Sequence, residues 1–153
     1  MTQTEETVLV RELGKLAGSL GGGFGARFAA RRLPVEESVT SVAVAAGKAD
    51  VQASLREILG SIGTLTDEFA FETPSDSVSA IVGSGRMNLN PTIVHVQVVE
   101  SSGVSTLLFI RALAKEGLVK QQSAQRAIER ITTLLLNRYP ELPGISTLAD
   151  GGK

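Results

Sequence analysis

Hydrophobic residues near the N-terminus recur at the period of an α-helix. Between residues 7 and 33 they are spaced three or four positions apart, at Leu9, Leu13, Leu16, Leu20, Phe24 and Phe28. Each glycine weakens a helix by about 1 kcal/mol relative to alanine, and Gly21, Gly22 and Gly23 stand in a row. The pattern therefore predicts a helix over about residues 5–20, a break at the three glycines, and a short basic helix that ends before Pro34.

Beyond Pro34 the hydrophobic pattern changes between the periods of strand and helix. Segments rich in β-branched residues or with alternating polarity predict strands over 35–46, 64–73, 77–85, 92–100 and 103–115. In the strand over 64–73, alternation places Phe69 and Phe71 on one face. The helical period predicts helices over 48–63 and 121–138. The second helix has an apolar stripe formed by Ala124, Ala127, Ile128, Ile131, Leu134 and Leu135.

The predicted fold class is α+β. The element order is β-α-β-β-β-β-α, preceded by an N-terminal glycine-rich helical extension. Short connections between consecutive strands favour an antiparallel meander, packed by one helix and by the long C-terminal helix. We expect both helices on one face of the sheet and the other face partly exposed. We divide the chain into a leader (1–33), an α+β domain (34–140) and a flexible C-terminal tail (141–153).

The order of these elements over residues 36–138 resembles the TATA-binding-protein-like arrangement and the helix-grip domains, which include START-type lipid-transfer and pollen-allergen-like proteins. In those proteins a curved sheet wraps the long C-terminal helix. The resemblance implies an apolar pocket between the sheet and that helix, with a small hydrophobic ligand as its occupant. Because a fold does not by itself determine function, this ligand is an expectation that follows from the resemblance.

Charge and composition narrow the classes of partner. The formal net charge of the 153 residues is −1, and aromatic residues make up 4% of the chain, with no Trp. Both features argue against a nucleic-acid-binding protein. The absence of Cys excludes disulfides and cysteine chemistry. We see neither a signal peptide nor an apolar run long enough to span a membrane, so we expect a cytoplasmic protein.

Small residues in the leader occupy every fourth position, at Gly14, Gly18, Gly22, Ala26 and Ala30. On a helix they would form a ridge without side chains, against which another helix can pack closely. Three interpretations stay open: an interface for packing or homo-oligomer formation, a flexible leader, and a basic helix that contacts a membrane surface. The run GGGFGA (21–26) matches a dinucleotide-binding fingerprint, but a helical pattern precedes it where that fingerprint requires a strand.

Three residues are candidates for ligand contact. His95 is the only histidine and lies in the strand over 92–100, on the face opposite Val94. Arg86 lies in a glycine-flanked loop, and Arg111 lies in the middle of the last strand. Each has an ordinary structural explanation: a histidine on the more exposed face of the sheet, a hairpin loop, and an arginine that reaches solvent. We predict no metal site and no cofactor, because metal sites rarely rest on one imidazole.

Carboxylates in the segment 64–73 do not form an obvious acid–base pair. Alternation places Asp67 on the face opposite Glu68 and Glu72, whereas paired carboxylates must face one bond. The sequence therefore favours a non-enzymatic binding or interaction module, and the resemblance to helix-grip domains implies that its ligand is small and hydrophobic. The alternative is a self-associating structural protein that uses the small-residue ridge. An enzyme whose site is assembled from distant residues ranks third.

Overall fold

The computed structural model describes residues 1–19, 29–85, 89–116, 120–140 and 142. Their helices and strands are α1 (Gln3–Ser19), β1 (Val35–Val44), α2 (Lys48–Ile62), β2 (Gly63–Leu65), β3 (Ser77–Ser84), β4 (Asn90–Ser101), β5 (Thr106–Lys115) and α3 (Ser123–Arg138). Residues 29–32 are also helical. The predicted α+β class and the order of its elements are confirmed.

The five strands form one antiparallel sheet in the order β1-β5-β4-β3-β2. Strands β2 to β5 follow one another as a meander, and β1 pairs with the remaining side of β5. The β1–β5 ladder runs without a register shift from the Val35–Lys115 pair to the Val44–Thr106 pair, whereas β4 has an irregularity between Val98 and Glu100. Strands β1 and β2 are consequently the two edges of the sheet.

One face of the sheet packs against α2 and α3. Val94, Val96 and Ile110 are completely buried on this face, among side chains of both helices. The predicted stripe of α3 is confirmed, because five of its six residues are buried in this core and Leu134 packs against it. The helical period of α3 and the alternation of β4 thus each predict residues of the same buried layer, between the helix and the sheet.

The opposite face is covered in part by α1. Val8 and Leu9 of α1 form a second buried cluster with Ile93, Leu113 and Phe69. The sheet therefore lies between two helical layers where α1 crosses it. The part of this face that belongs to β1 remains open, as the 44% exposure of Val39 shows.

The segment 64–73 is not the strand that its alternating pattern predicts. Strand β2 ends at Leu65, and residues 68–72 form turns. The backbone N–H groups of Glu72 and Thr73 both donate to the Phe69 carbonyl, so local turns supply the hydrogen bonds that a strand would take from its neighbours. Phe69 is 1% exposed and Phe71 is fully exposed, so the prediction that they share a face is wrong.

The predicted leader helix is observed as α1, with ends within two residues of the prediction. The predicted break at Gly21–Gly23 lies outside the described residues, as does all of the predicted tail except Leu142. The division into leader, domain and tail therefore stays a prediction. The burial of Val8 and Leu9 against the sheet nevertheless makes α1 part of the packed structure.

Truncating Leu9 tests whether α1 contributes to the core. Leu9 is completely buried, whereas Leu16 on the same helix is 37% exposed. We expect Leu9→Ala to lower the free energy of unfolding by about 2–5 kcal/mol, because it leaves a cavity in the second cluster. The matched control Leu16→Ala should cost less than about 1 kcal/mol. Urea denaturation measures both values, and equal small losses would contradict the packing of α1.

Candidate functional site

The outer edge of β1 carries backbone groups that point away from β5. At one end of the strand, the Ala45 N–H donates to the Pro140 carbonyl and the Leu142 N–H donates to the Ala43 carbonyl. At the other end, Pro34 directs its carbonyl inward, to the Glu116 N–H. Because backbone direction alternates along a strand, odd-numbered residues of β1 direct their N–H and C=O groups outward.

Four residues of this edge have no described strand beside them. Within the described part of the chain, no backbone group pairs with the outward N–H and C=O of Val35, Glu37, Val39 or Ser41. Four residues with one donor and one acceptor each make eight unpaired groups. We call this stretch, residues 35–41, the free edge.

The free edge carries two carboxylates but lacks the other features that usually prevent edge strands from pairing. Proteins protect an edge by making it short, by a bulge, or by Lys and Pro residues. The edge strand β2 has three residues, but β1 has ten, with neither Lys nor Pro and with an unbroken ladder. Its two carboxylates are engaged: Glu36 accepts the Ala124 N–H at 2.9 Å, and Glu37 accepts Arg111 Nε at 2.7 Å.

Two of the predicted ligand-contact residues meet beneath α1. His95 and Arg111 are cross-strand neighbours on β4 and β5, and both bind the same carboxylate oxygen of Glu5. The distance to Glu5 Oε1 is 3.1 Å from His95 Nε2 and 2.5 Å from Arg111 Nη1. On its other side, His95 Nδ1 lies 2.8 Å from the hydroxyl of Ser79. The Phe69 ring meets the imidazole edge to face, with centroids 4.9 Å apart.

Hydrogen bonds keep the buried Glu5 carboxylate ionised. Burial alone raises the pKa of Glu5, but hydrogen bonds from His95, from the Thr2 backbone N–H and from Arg111 together lower this pKa to about 2. An ionised carboxylate only accepts hydrogen bonds, so His95 Nε2 carries a proton. In the neutral imidazole, Nδ1 then accepts the Ser79 hydroxyl. Every polar atom of the ring has a partner inside the protein.

His95 is more buried than its position in the strand suggested. The residue lies on the predicted face, opposite Val94, but it is 7% exposed because α1 and Phe69 cover it. The Arg111 side chain is about one-quarter exposed and is held between Glu5 and Glu37. Arg86 lies outside the described residues. Whether any of the three contacts a ligand stays a prediction.

The small-residue ridge is described only in part. Gly14 and Ala30 are buried, whereas Gly18 is exposed, with open space where a side chain would begin. Gly22 and Ala26 lie outside the described residues. An interface formed by the ridge therefore stays a prediction.

Two concave sites lie away from the free edge. A groove of about 360 Å³ between α1 and the start of β4 is lined by Leu16, Ile81, Leu89 and Pro91, with Glu12 and Lys15 also contributing. A more enclosed pocket of about 190 Å³ lies where the turn after β2 crosses the start of β3, and its lining includes Ser79. Among the described residues, no cluster of three or more His, Asp or Glu side chains is arranged to hold a metal ion.

Glu5 and Ser79 are the polar residues that sequence reasoning missed. Glu5 precedes Val8 and Leu9 by three and four positions, so it continues their helical stripe. A charged residue in an apolar stripe is a signal that could have identified Glu5. Ser79 had no such signal, because its partner is contributed by another strand.

Comparisons with known proteins return no relative. No protein-family model, no curated protein and no solved structure matches the chain. In the described part of the chain, no helix has the length and apolar character needed to cross a membrane.

Replacing Glu5 tests the polar cluster through its pH dependence. A carboxyl group with a lowered folded pKa stabilises the protein above its unfolded value of 4.5, and this contribution is lost as the pH falls toward about 2. We expect Glu5→Gln to lower the free energy of unfolding by about 1.5–3 kcal/mol at pH 7, and by much less near pH 2. Denaturation across this pH range measures the difference. Glu129→Gln, at an exposed position, is the control; a pH-independent loss in Glu5→Gln would contradict the ionised cluster.

Proposed function

We propose that this protein is a non-enzymatic interaction module that self-associates by pairing the free edges of two copies. The observation that carries the proposal is the row of eight outward backbone groups on an unbroken edge strand. A strand added to such an edge gains backbone hydrogen bonds along its whole length. The continued sheet would contain ten strands, five from each copy.

A second copy fits this edge because the edge is complementary to itself. In a two-fold antiparallel pair centred on Ser38, Val35 faces Ser41 of the second copy and Glu37 faces its Val39. This register pairs all eight outward groups. In this register Glu37 faces Val39, so the two Glu37 carboxylates are diagonal rather than directly opposite neighbours. Val35 and Val39, which are 36% and 44% exposed, would become less exposed.

Substitutions of opposite charge at Val39 test both the interface and its register. Val39→Glu would place a carboxylate opposite Glu37 of the second copy, and this repulsion occurs twice in the dimer. We expect it to weaken dimerisation about tenfold or more. Val39→Lys would oppose the same Glu37 with a cation and should preserve or strengthen the dimer. Sedimentation equilibrium measures the dissociation constants, with Val104→Glu as a control at an exposed turn.

The same sedimentation measurement distinguishes the free edge from the other possible interfaces. Gly18→Leu fits the monomer without a clash, so loss of the dimer in that variant alone would assign the interface to the small-residue ridge. Equal effects of Val39→Glu and Val39→Lys would contradict the register. A full chain that stays monomeric would contradict self-association. If a chain ending at Leu142 then dimerised, residues after Leu142 would be identified as the occupant of the edge.

A second candidate function, binding of a small hydrophobic ligand, is favoured by the groove beside α1. Its volume of about 360 Å³ falls within the usual range of ligand pockets, and Leu89 on its rim is 57% exposed. The space between the sheet and α3, where the resemblance implied a pocket, is occupied by packed side chains such as Val96, Ile110 and Ile131. The proposed location therefore differs from the expected one.

A fluorescent apolar probe tests this groove. We expect 8-anilinonaphthalene-1-sulfonate to bind the folded protein with increased emission, and Leu89→Asp to reduce its affinity about fivefold or more, because the substitution places a charge on the apolar rim. Val104→Asp, at another exposed apolar position, should leave the affinity unchanged. Equal effects of the two substitutions would contradict binding in the groove.

A further inference from the structure

The pocket at the opposite edge of the sheet has a polar lining. Strand β2 ends after pairing Leu65 with Ala80, and beyond this pair the following turn borders the start of β3. The turn is anchored there by the Thr66 N–H, which donates to the Ser79 carbonyl. The pocket between them has a volume of about 190 Å³, and its polar lining includes Arg56, Thr66, Asp67, Ser75, Ser77 and Ser79.

Several of these groups have no partner among the described residues. Among the described residues, no hydrogen bond or ion pair engages the Arg56 guanidinium or the Asp67 carboxylate. The hydroxyls of Ser75 and Ser77 also lack a protein partner within that part of the chain. Arg56, Asp67 and Ser75 are exposed and Ser77 is partly buried, so these four groups are hydrated in the free protein and a ligand in the pocket would replace their water.

We propose that this pocket binds a small zwitterion with a carboxylate and an ammonium group, that is, a free amino acid. Arg56 would receive the carboxylate through a charge-assisted hydrogen bond, Asp67 would receive the ammonium group, and the serine hydroxyls would bind the remaining polar atoms. This inference does not depend on the proposed self-association, because the pocket and the free edge lie at opposite edges of the sheet.

The composition of the pocket selects this class of ligand over simpler ones. An anion without an ammonium group would leave the Asp67 carboxylate beside a like charge, and a cation without a carboxylate would do the same at Arg56. An apolar molecule would remove water from the hydroxyls without replacing their hydrogen bonds. The volume of about 190 Å³ restricts the ligand to a small molecule.

Ser79 connects the pocket to a unique spectroscopic probe. It contributes to the lining, and its hydroxyl lies 2.8 Å from His95 Nδ1. His95 is the only histidine of the chain, so its imidazole nitrogens give a single set of NMR signals. A ligand that rearranges the Ser79 hydroxyl will shift these signals.

The experiment titrates the full chain with glycine and with L-serine while recording the ¹⁵N signals of His95. We expect saturable shifts with both amino acids, and at least about tenfold weaker binding of acetate and of methylamine, each of which carries one of the two charges. Arg56→Gln and Asp67→Asn should each weaken amino-acid binding about tenfold or more. Arg126→Gln removes an exposed guanidinium outside the pocket and should have no effect.

Two results of this titration would overturn the proposal, and one variant separates it from the proposed dimer. Absence of saturable binding of either amino acid up to about 10 mM, both in the His95 signals and by isothermal titration calorimetry, would overturn the proposal. Acetate binding as tightly as glycine would show an anion site and would overturn the assignment to a zwitterion. Val39→Glu should bind glycine like the wild type, so failure of the dimer and failure of this pocket can be distinguished.

Discussion

A buried carboxylate must be paired, and the way Glu5 is paired determines how α1 sits on the sheet. Removing a charge from water is costly unless hydrogen bonds replace the lost hydration. Glu5 finds these bonds at His95 and Arg111, which only the β4–β5 pairing brings together. The apolar contacts of Val8 and Leu9 follow on the same helical face. The cluster therefore specifies the position of α1, while burial of the apolar side chains stabilises it.

The position of α1 in turn determines which surfaces of the sheet remain available. It covers the sheet where Ile93 and Leu113 lie and leaves the face of β1 open. The meander places β2 at one edge and β1 at the other, so two unlike edges result. The edge at β2 is short and bordered by a turn, which leaves a polar pocket. The edge at β1 is long and regular, which leaves backbone groups for another strand.

The sequence predicted those features that depend on periodicity. The α3 stripe and the inward face of Val94 and Val96 follow from the periods of helix and strand, because each period relates a residue only to its near neighbours. The segment around Phe69 alternates like a strand, and its turns arise from hydrogen bonds that alternation does not report. Glu5 and His95 are ninety positions apart, so no local pattern could place them in one cluster.

The polar cluster also spans the distance between the two candidate sites. Hydrogen bonds lead from Ser79 on β3 to His95 on β4, through Glu5 on α1 to Arg111 on β5, and from there to Glu37 on β1. One end of this path lines the polar pocket, and the other end lies on the free edge. A continuous path is a physical connection, but it is not by itself evidence of energetic coupling. If the two sites are coupled, the coupling must be reciprocal. A ligand of the pocket that strengthens edge pairing must then bind the dimer more tightly than it binds the monomer.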